Sequence, residues 1–103
     1  MNARDELFAI REDVAGHFAL DGELTFASAD LALKKTAKLF SASSPIVLDL
    51  AGIVRADSAG VALLLEWQRR GKLAGAKVHY VNLPLQLKAI ARVTGADGIL
   101  SIN

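Results

Sequence analysis

The chain of 103 residues is long enough for one small domain, and it is rich in apolar residues. Its 52% content of hydrophobic residues excludes intrinsic disorder, because so much apolar surface collapses in water. The longest unbroken apolar run covers only residues 61–65, which excludes a membrane-spanning helix of roughly 20 apolar residues. The absence of cysteine excludes disulfides, a thiolate nucleophile and a cysteine-based zinc site.

The net charge of +1 is too small to indicate nucleic-acid binding. The charges are unevenly divided, since residues 1–33 carry a net charge of −5 and residues 34–103 carry +6. The first ten residues, MNARDELFAI, have acids where a secretory signal has bases followed by a long apolar stretch. We therefore expect a cytoplasmic protein.

The first forty residues predict a β-hairpin followed by a helix. Apolar and polar residues alternate over residues 7–12 and again over residues 17–24, and residues 13–16 supply a turn. Thr25 or Ser28 can cap a helix that we expect to reach Phe40. The apolar residues of this helix fall on one stripe that should face the core: Phe26, Ala29, Leu33, Ala37 and Phe40.

The remaining residues alternate between strand and helix patterns. The run IVLDL at residues 46–50 is typical of a strand covered on both faces, and residues 51–57 are predicted as a connection. A second helix is predicted from Ser58 to about Lys72, with Gly71 and Gly75 ending it. Two strands followed by alternating helices and strands indicate a mixed sheet with helices packed on it, an α/β fold with one domain over residues 1–103.

The last quarter of the chain predicts a strand, a helix and a docked end. Residues 76–82 are expected to form another buried strand. Pro84 suits the first turn of a third helix that runs to Gly95. Residues 99–102 predict a short edge strand or a docked tail.

The sequence contains no motif typical of a catalytic or cofactor-binding site. Neither glycine-rich phosphate loop occurs in the sequence. His17 and His79 lie in separate predicted strands without a paired ligand, so each is expected to be an ordinary strand residue. Ser58 lies outside any G-x-S-x-G elbow, and the adjacent Asp57 cannot easily orient a histidine for it. We expect a protein that is not an enzyme and that holds no metal or cofactor.

The segment from residue 46 to residue 67, IVLDLAGIVRADSAGVALLLEW, carries the most information. Ser58 is predicted as the N-cap of the second helix, with Asp57 adding negative charge near its positive end. The small residues Ala59 and Gly60 leave little side-chain cover, so another backbone can approach closely. A well-capped helix after a buried strand accounts for all four residues without any binding role.

The apolar residues of this helix extend around its whole circumference. In one register Leu63, Leu64 and Trp67 face the sheet, and in the other the sheet-facing residues are Val61, Ala62 and Leu65. Either register leaves apolar surface beside Ser58. Such a surplus indicates a protein-binding face, unless the third helix covers it.

This segment resembles the STAS domain family, which includes bacterial anti-sigma-factor antagonists and the cytoplasmic tails of sulfate transporters. The resemblance rests on the strand at residues 46–50, on Asp57-Ser58-Ala59-Gly60 opening a helix, and on residues 81–95, which look like the family's last strand and helix. It covers nearly the whole chain and implies a STAS-like fold.

Within the family, the segment most resembles the small STAS subunit of the Mla phospholipid-transport ABC system. That group has an Arg-x-Asp-[Ser/Thr]-x-Gly motif followed by Ala-Leu-Leu-Leu, matched here by residues 55–60 and 62–65. The resemblance implies a non-catalytic subunit that binds the ABC transporter ATPase, peripheral to the inner membrane through that partner. The residues it implies for partner binding are Arg55, Asp57, Ser58, Ala59, Gly60 and Ala62.

The same fold implies a competing function. In antagonist members, a kinase that acts as an anti-sigma factor phosphorylates the serine at the position of Ser58. A phosphate there would add about −1.5 to −2 charge beside Asp57. The antagonist function is therefore the alternative, and a free-standing lipid or nucleotide binder is the third hypothesis.

Overall fold

Four strands form one mixed sheet in the computed structural model, which describes residues 7–41 and 45–102. The strands lie in the order β1-β2-β3-β4, with bounds Phe8–Val14, His17–Leu24, Ile46–Ala56 and Val78–Val81. The first pair is antiparallel, which confirms the predicted hairpin, and β2/β3 and β3/β4 are parallel. Gly16, with φ +81°, allows the tight turn between β1 and β2.

Among the residues described, four helices pack on the sheet, which confirms the predicted α/β class with a mixed sheet. Their bounds are Ala29–Lys35 for α1, Ser58–Leu73 for α2, Leu85–Thr94 for α3 and Ala96–Leu100 for α4, and a short 3-10 turn covers Leu39–Ser41. In the part of the chain that the structure describes, no helix is long and apolar enough to span a membrane.

The core lies between the sheet and α2. Trp67 of α2 is fully buried, and its ring centroid lies 6.4 Å from that of Phe8 on β1. The Trp67 indole N–H donates a hydrogen bond of 2.8 Å to the hydroxyl of Thr36, which in turn donates to the Ala32 carbonyl. This chain of bonds satisfies the polar atoms that burial removes from water.

The first helix is shorter than predicted. It ends at Lys35 instead of Phe40, because the backbone changes to i→i−3 hydrogen bonds, from the Ala37 N–H to the Lys34 carbonyl and from the Leu39 N–H to the Thr36 carbonyl. The predicted apolar stripe is also wrong. Phe40 is buried as predicted, but Phe26, which was expected to face the core, is 76% exposed. Ser28 occupies the N-cap position, but its hydroxyl bonds to the Glu23 carbonyl and the Thr25 N–H instead of capping the helix.

Strand β3 corrects two predictions. It continues through the predicted connection to Ala56, with pairing to β2 interrupted by two register shifts. Its two faces are also unequal, because Leu48 is fully buried whereas the neighbouring Val47 and Asp49 are half-buried. The strand is therefore not covered by helices on both faces.

The predicted second and third helices are confirmed, and their ends follow glycine geometry. Gly71 lies inside α2 and does not end it; the glycine with positive φ after this helix is Gly75. Helix α3 is followed by Gly95, which has φ +78°. The predicted fourth strand is shorter than residues 76–82 and only half-buried. The last segment forms α4 instead of an edge strand, and Ile102 is buried beyond it, as expected of a docked tail.

Candidate functional site

The start of α2 is held by Asp57, which corrects the prediction that Ser58 is its N-cap. One carboxylate oxygen of Asp57 accepts a hydrogen bond of 2.9 Å from the Ala59 backbone N–H, in the usual geometry of a capping residue. The other oxygen accepts a bond of 3.2 Å from the Phe26 backbone N–H. Asp57 therefore ties the loop before α1 to the first turn of α2.

Ser58 is the first residue of α2, and its side chain is exposed. Within the described chain, no hydrogen bond involves its hydroxyl. Because Asp57 already caps the helix, the hydroxyl is not required for helix formation. It is available to a partner or to a modifying enzyme.

The six residues predicted to bind a partner differ in exposure. Arg55, Ser58 and Ala62 are exposed, Asp57 is half-buried, and Ala59 and Gly60 are buried. Partner binding by these residues stays a prediction, and the exposed three are the ones that a partner could touch without rearrangement.

Gly60 serves the interior of the fold. A Cβ atom at this position would lie 2.6 Å from the Leu24 carbonyl oxygen and 3.1 Å from a methyl carbon of Leu87. The missing side chain lets the end of β2 and helix α3 approach α2. The close backbone approach expected from the sequence is thus made by the chain's own elements.

The register of α2 matches the first of the two predicted alternatives. Leu63, Leu64 and Trp67 are buried in the core, and Val61 is buried as well. Of the residues expected to be surplus, Ala62 is exposed and Leu65 is half-buried. The third helix therefore covers part of the surplus apolar surface.

Two apolar grooves run along α2, one on each side of Ala62. The first, of about 380 Å³, lies between α2 and the α1 region. It is lined by Phe26, Ala29, Leu33, Ser58, Ala59, Ala62, Leu63 and Glu66. The second, of about 270 Å³, lies between α2 and the two C-terminal helices and is lined by Ser58, Val61, Ala62, Leu65, Ile90, Thr94, Ala96 and Ile99.

Ser58 and Ala62 line both grooves, so they form the ridge between them. The outer walls carry Phe26 on one side and Ile99 on the other, and both side chains are largely exposed. We call Phe26, Ser58, Ala62 and Ile99 the docking surface. Exposed apolar side chains around a small-residue ridge are typical of a protein-binding face.

Sequence reasoning missed Phe26 and Ile99 as members of this surface. Phe26 precedes the N-cap position of α1, so the helical spacing that assigned it to the core stripe does not apply to it. Ile99 was expected in an edge strand, but it lies in α4. No local pattern indicates that these two residues flank the same helix.

Glu66 marks the far end of the first groove with a fixed negative charge. Its carboxylate accepts hydrogen bonds of 2.7 Å from both Arg69 and Arg70, and these bonds lower the pKa of Glu66 to about 2. Glu66 therefore stays ionised at any physiological pH. Its charge is shared with the two arginines, so the groove remains mainly apolar.

The structure gives the histidines no common site. His17 and His79 each pair with Val47 from opposite sides, so a whole strand separates them. Across residues 7–41 and 45–102, no group of three or more His, Cys, Asp or Glu residues is placed to hold a metal ion.

Solved structures show the same fold at low sequence identity. An anti-sigma-factor antagonist from Mycobacterium paratuberculosis matches with 20% identity and a TM-score of 0.69, over 99% of this chain and 89% of that chain. The anti-sigma-factor antagonist SpoIIAA in its unphosphorylated form matches with 15% identity and a TM-score of 0.65, over 93% of this chain and 98% of that chain.

A much larger protein contains a similar domain. The murine Slc26a9 anion transporter in its inward-facing state matches with 20% identity and a TM-score of 0.67, over 84% of this chain. The chain spans only 15% of that transporter, and 17% of a second SLC26A9 structure. No curated protein matches the chain.

A family model described as "Mlab, STAS domain" matches residues 9–101. The match extends from β1 through the end of α4 and includes both grooves. The chain therefore belongs to the STAS domain family.

Proposed function

We propose that this protein is a non-catalytic cytoplasmic subunit of an Mla-type phospholipid ABC transporter, which binds the ATPase subunit and supports its assembly or activity. In this role it lies at the inner membrane through its partner. Support comes from the description of the matching family model and from the Arg-x-Asp-Ser-x-Gly motif at residues 55–60.

The observation that carries the proposal is the position of Ser58 and Ala62 on a ridge between two apolar grooves. Small side chains on a ridge let a partner helix or loop come close to α2, while the grooves accept its larger apolar side chains. Arg55 is exposed just before Asp57 and can add a charged contact at the rim. Apolar residues at the centre and charged residues at the rim are the usual composition of protein interfaces.

Affinity purification of the tagged chain from its native host, followed by mass spectrometry, tests the identity of the partner. We expect an ABC ATPase to co-purify with the unaltered chain and to be lost with Ala62→Asp. Leu73→Asp is the matched control, because Leu73 is an exposed apolar residue at the opposite end of the same helix. Recovery of only a histidine-kinase-like anti-sigma factor would contradict the transporter function.

One observation favours the alternative function, an anti-sigma-factor antagonist switched by phosphorylation of Ser58. The Ser58 hydroxyl is exposed and makes no hydrogen bond within the described part of the chain. A phosphate on it would place about −1.5 to −2 charge on the ridge between two apolar grooves and would oppose docking there.

Intact-mass and peptide mass spectrometry of the chain purified from its host tests this alternative. Phosphate on Ser58, together with co-purification of an anti-sigma factor kinase, supports the antagonist function. Ser58→Ala should abolish the modification without affecting the fold, because Asp57 and not Ser58 caps the helix. Unmodified Ser58 in a chain that carries a bound ATPase supports the transporter function.

A further inference from the structure

Within residues 7–41 and 45–102, strand β4 leaves one edge of the sheet without a neighbouring strand. It pairs with β3 alone, and it is last in the strand order of the described chain. In a parallel pair, every second residue of a strand directs its backbone N–H and C=O toward the same neighbouring strand. The Ile46 N–H donates to the Lys77 carbonyl, so Lys77 and His79 are the β4-side residues that bond to β3. The backbone groups of Val78 and Tyr80 therefore point away from β3, toward the free edge.

A groove of about 390 Å³ lies along this edge, between the second half of α2 and the end of α4. Its lining residues are Gln68, Lys72, Ala76, Lys77, Val78, His79, Tyr80, Leu100 and Ser101. None of them lines the two grooves of the docking surface. The edge groove is thus a separate feature of the molecule.

Two hydrogen bonds fix the elements around the free edge. The Tyr80 hydroxyl donates a hydrogen bond of 2.6 Å to the Leu64 carbonyl, and burial of the Tyr80 hydroxyl raises its pKa far above the ordinary value. Gln68 also donates a bond of 2.8 Å to the Ile99 carbonyl, which ties α4 to α2 at one end of the groove. A strand that adds to this edge meets a preformed surface.

The charge along the groove is positive. Lys72 and Lys77 line it and are exposed, and none of its described lining residues is acidic. These two ammonium groups provide charge complementarity for an acidic ligand.

We propose that the β4 edge binds an extended acidic segment of a partner protein, which adds to the sheet as a fifth strand. The backbone groups of Val78 and Tyr80 would supply the hydrogen bonds, and Lys72 and Lys77 would select acidic side chains. Pairing of two β4 edges from two copies is disfavoured, because it would bring the same lysines together. The occupant is therefore a different chain.

Selection from a random ten-residue peptide library displayed on phage, with the whole chain as bait, tests this proposal. We expect the enriched peptides to be acidic with alternating β-branched residues. A synthetic copy of the best peptide should slow hydrogen exchange at the Val78 and Tyr80 amides. Lys72→Glu/Lys77→Glu should weaken its binding by about tenfold or more, because it replaces two attractions with repulsions.

The control is Lys34→Glu/Arg92→Glu, which changes the net charge equally at exposed positions outside the groove. It should leave the affinity within about twofold. The proposal is overturned if no peptide is enriched, if the selected peptides are neutral or basic, or if they protect amides elsewhere. Concentration-dependent protection of Val78 and Tyr80 in the chain alone would assign the edge to a second copy and would also overturn it.

Discussion

The Asp57 carboxylate accepts a hydrogen bond from the Phe26 backbone N–H at 3.2 Å, across a sequence separation of 31 residues. The same carboxylate caps α2 through the Ala59 N–H. One side chain thus positions both the exposed phenyl ring at the outer wall of the first groove and the helix that forms the ridge. The shape of the docking surface depends on this pair of bonds.

Substitutions of Asp57 should separate its two bonds. Asp57→Asn keeps a side-chain oxygen for the Ala59 N–H, but it presents an amide group, a donor, to the Phe26 N–H. We expect Asp57→Asn to cost less stability than Asp57→Ala, for which the loss of the cap costs about 0.5–2 kcal/mol. Urea denaturation measures this difference.

Hydrogen exchange at the Phe26 amide provides the second readout for the Asp57 variants. Both should exchange faster than the unaltered chain, because both lose the acceptor for this N–H. Equal stability of Asp57→Asn and Asp57→Ala would show that the cap contributes nothing. Unchanged exchange at Phe26 would show that the bond to Asp57 does not hold the loop.

Much of the fold could be predicted from the sequence, because its signals are local. The alternation in β1 and β2, the turn at Gly16 and the stops at Gly75 and Gly95 each act within a few residues. The errors occur where distant contacts decide. The end of α1 is joined to α2 by a bond between Thr36 and Trp67, which no local pattern contains.

Thr36→Val should destabilise the domain by about 1–3 kcal/mol. Valine has a similar shape but offers no acceptor, so the fully buried Trp67 indole N–H would lose its partner. Urea denaturation followed by fluorescence measures the loss, since Trp67 is the single tryptophan of the chain.

A double-mutant cycle separates the contribution of the Thr36–Trp67 hydrogen bond from any effect of changed packing at residue 36. In a Trp67→Phe background, followed by circular dichroism, Thr36→Val should cost clearly less, because no indole N–H remains to be left unpaired. The same cost in both backgrounds would mean that the hydrogen bond contributes no net stability.

The acid dependence of stability should include a contribution from Glu66. Its bonds to Arg69 and Arg70 lower its pKa from an ordinary value of 4.5 to about 2 in the folded chain. A carboxyl with a lowered folded pKa stabilises the fold above its unfolded pKa, and this stabilisation is lost as the pH falls from about 4.5 toward about 2. The effect should be small, because the pair lies near the surface.

Comparison with Glu66→Gln isolates this contribution. The difference in free energy of unfolding between the unaltered chain and the variant should be constant above pH 5 and should shrink as the pH falls toward 2. A difference that does not change with pH would mean that the ion pairs do not contribute to stability.

The candidate site was only partly accessible to sequence reasoning. The motif around Ser58 and the apolar surplus of α2 indicated the segment that forms the ridge of the candidate docking surface, because both belong to one continuous segment. The grooves require Phe26 and Ile99, which come from opposite ends of the chain. Only tertiary structure brings them to the two sides of Ala62.

The central claim is that the partner docks on the ridge formed by Ser58 and Ala62. The most direct test is the affinity of the purified ATPase subunit for Ser58→Glu, measured by isothermal titration calorimetry beside the unaltered chain and the control Leu73→Glu. Glutamate at the first position of a helix is compatible with its positive end, so we expect a change in stability of at most about 1 kcal/mol. The account predicts at least about a tenfold loss of affinity for Ser58→Glu, equivalent to 1.4 kcal/mol, and no loss for the control. Unchanged affinity of a folded Ser58→Glu variant would contradict it.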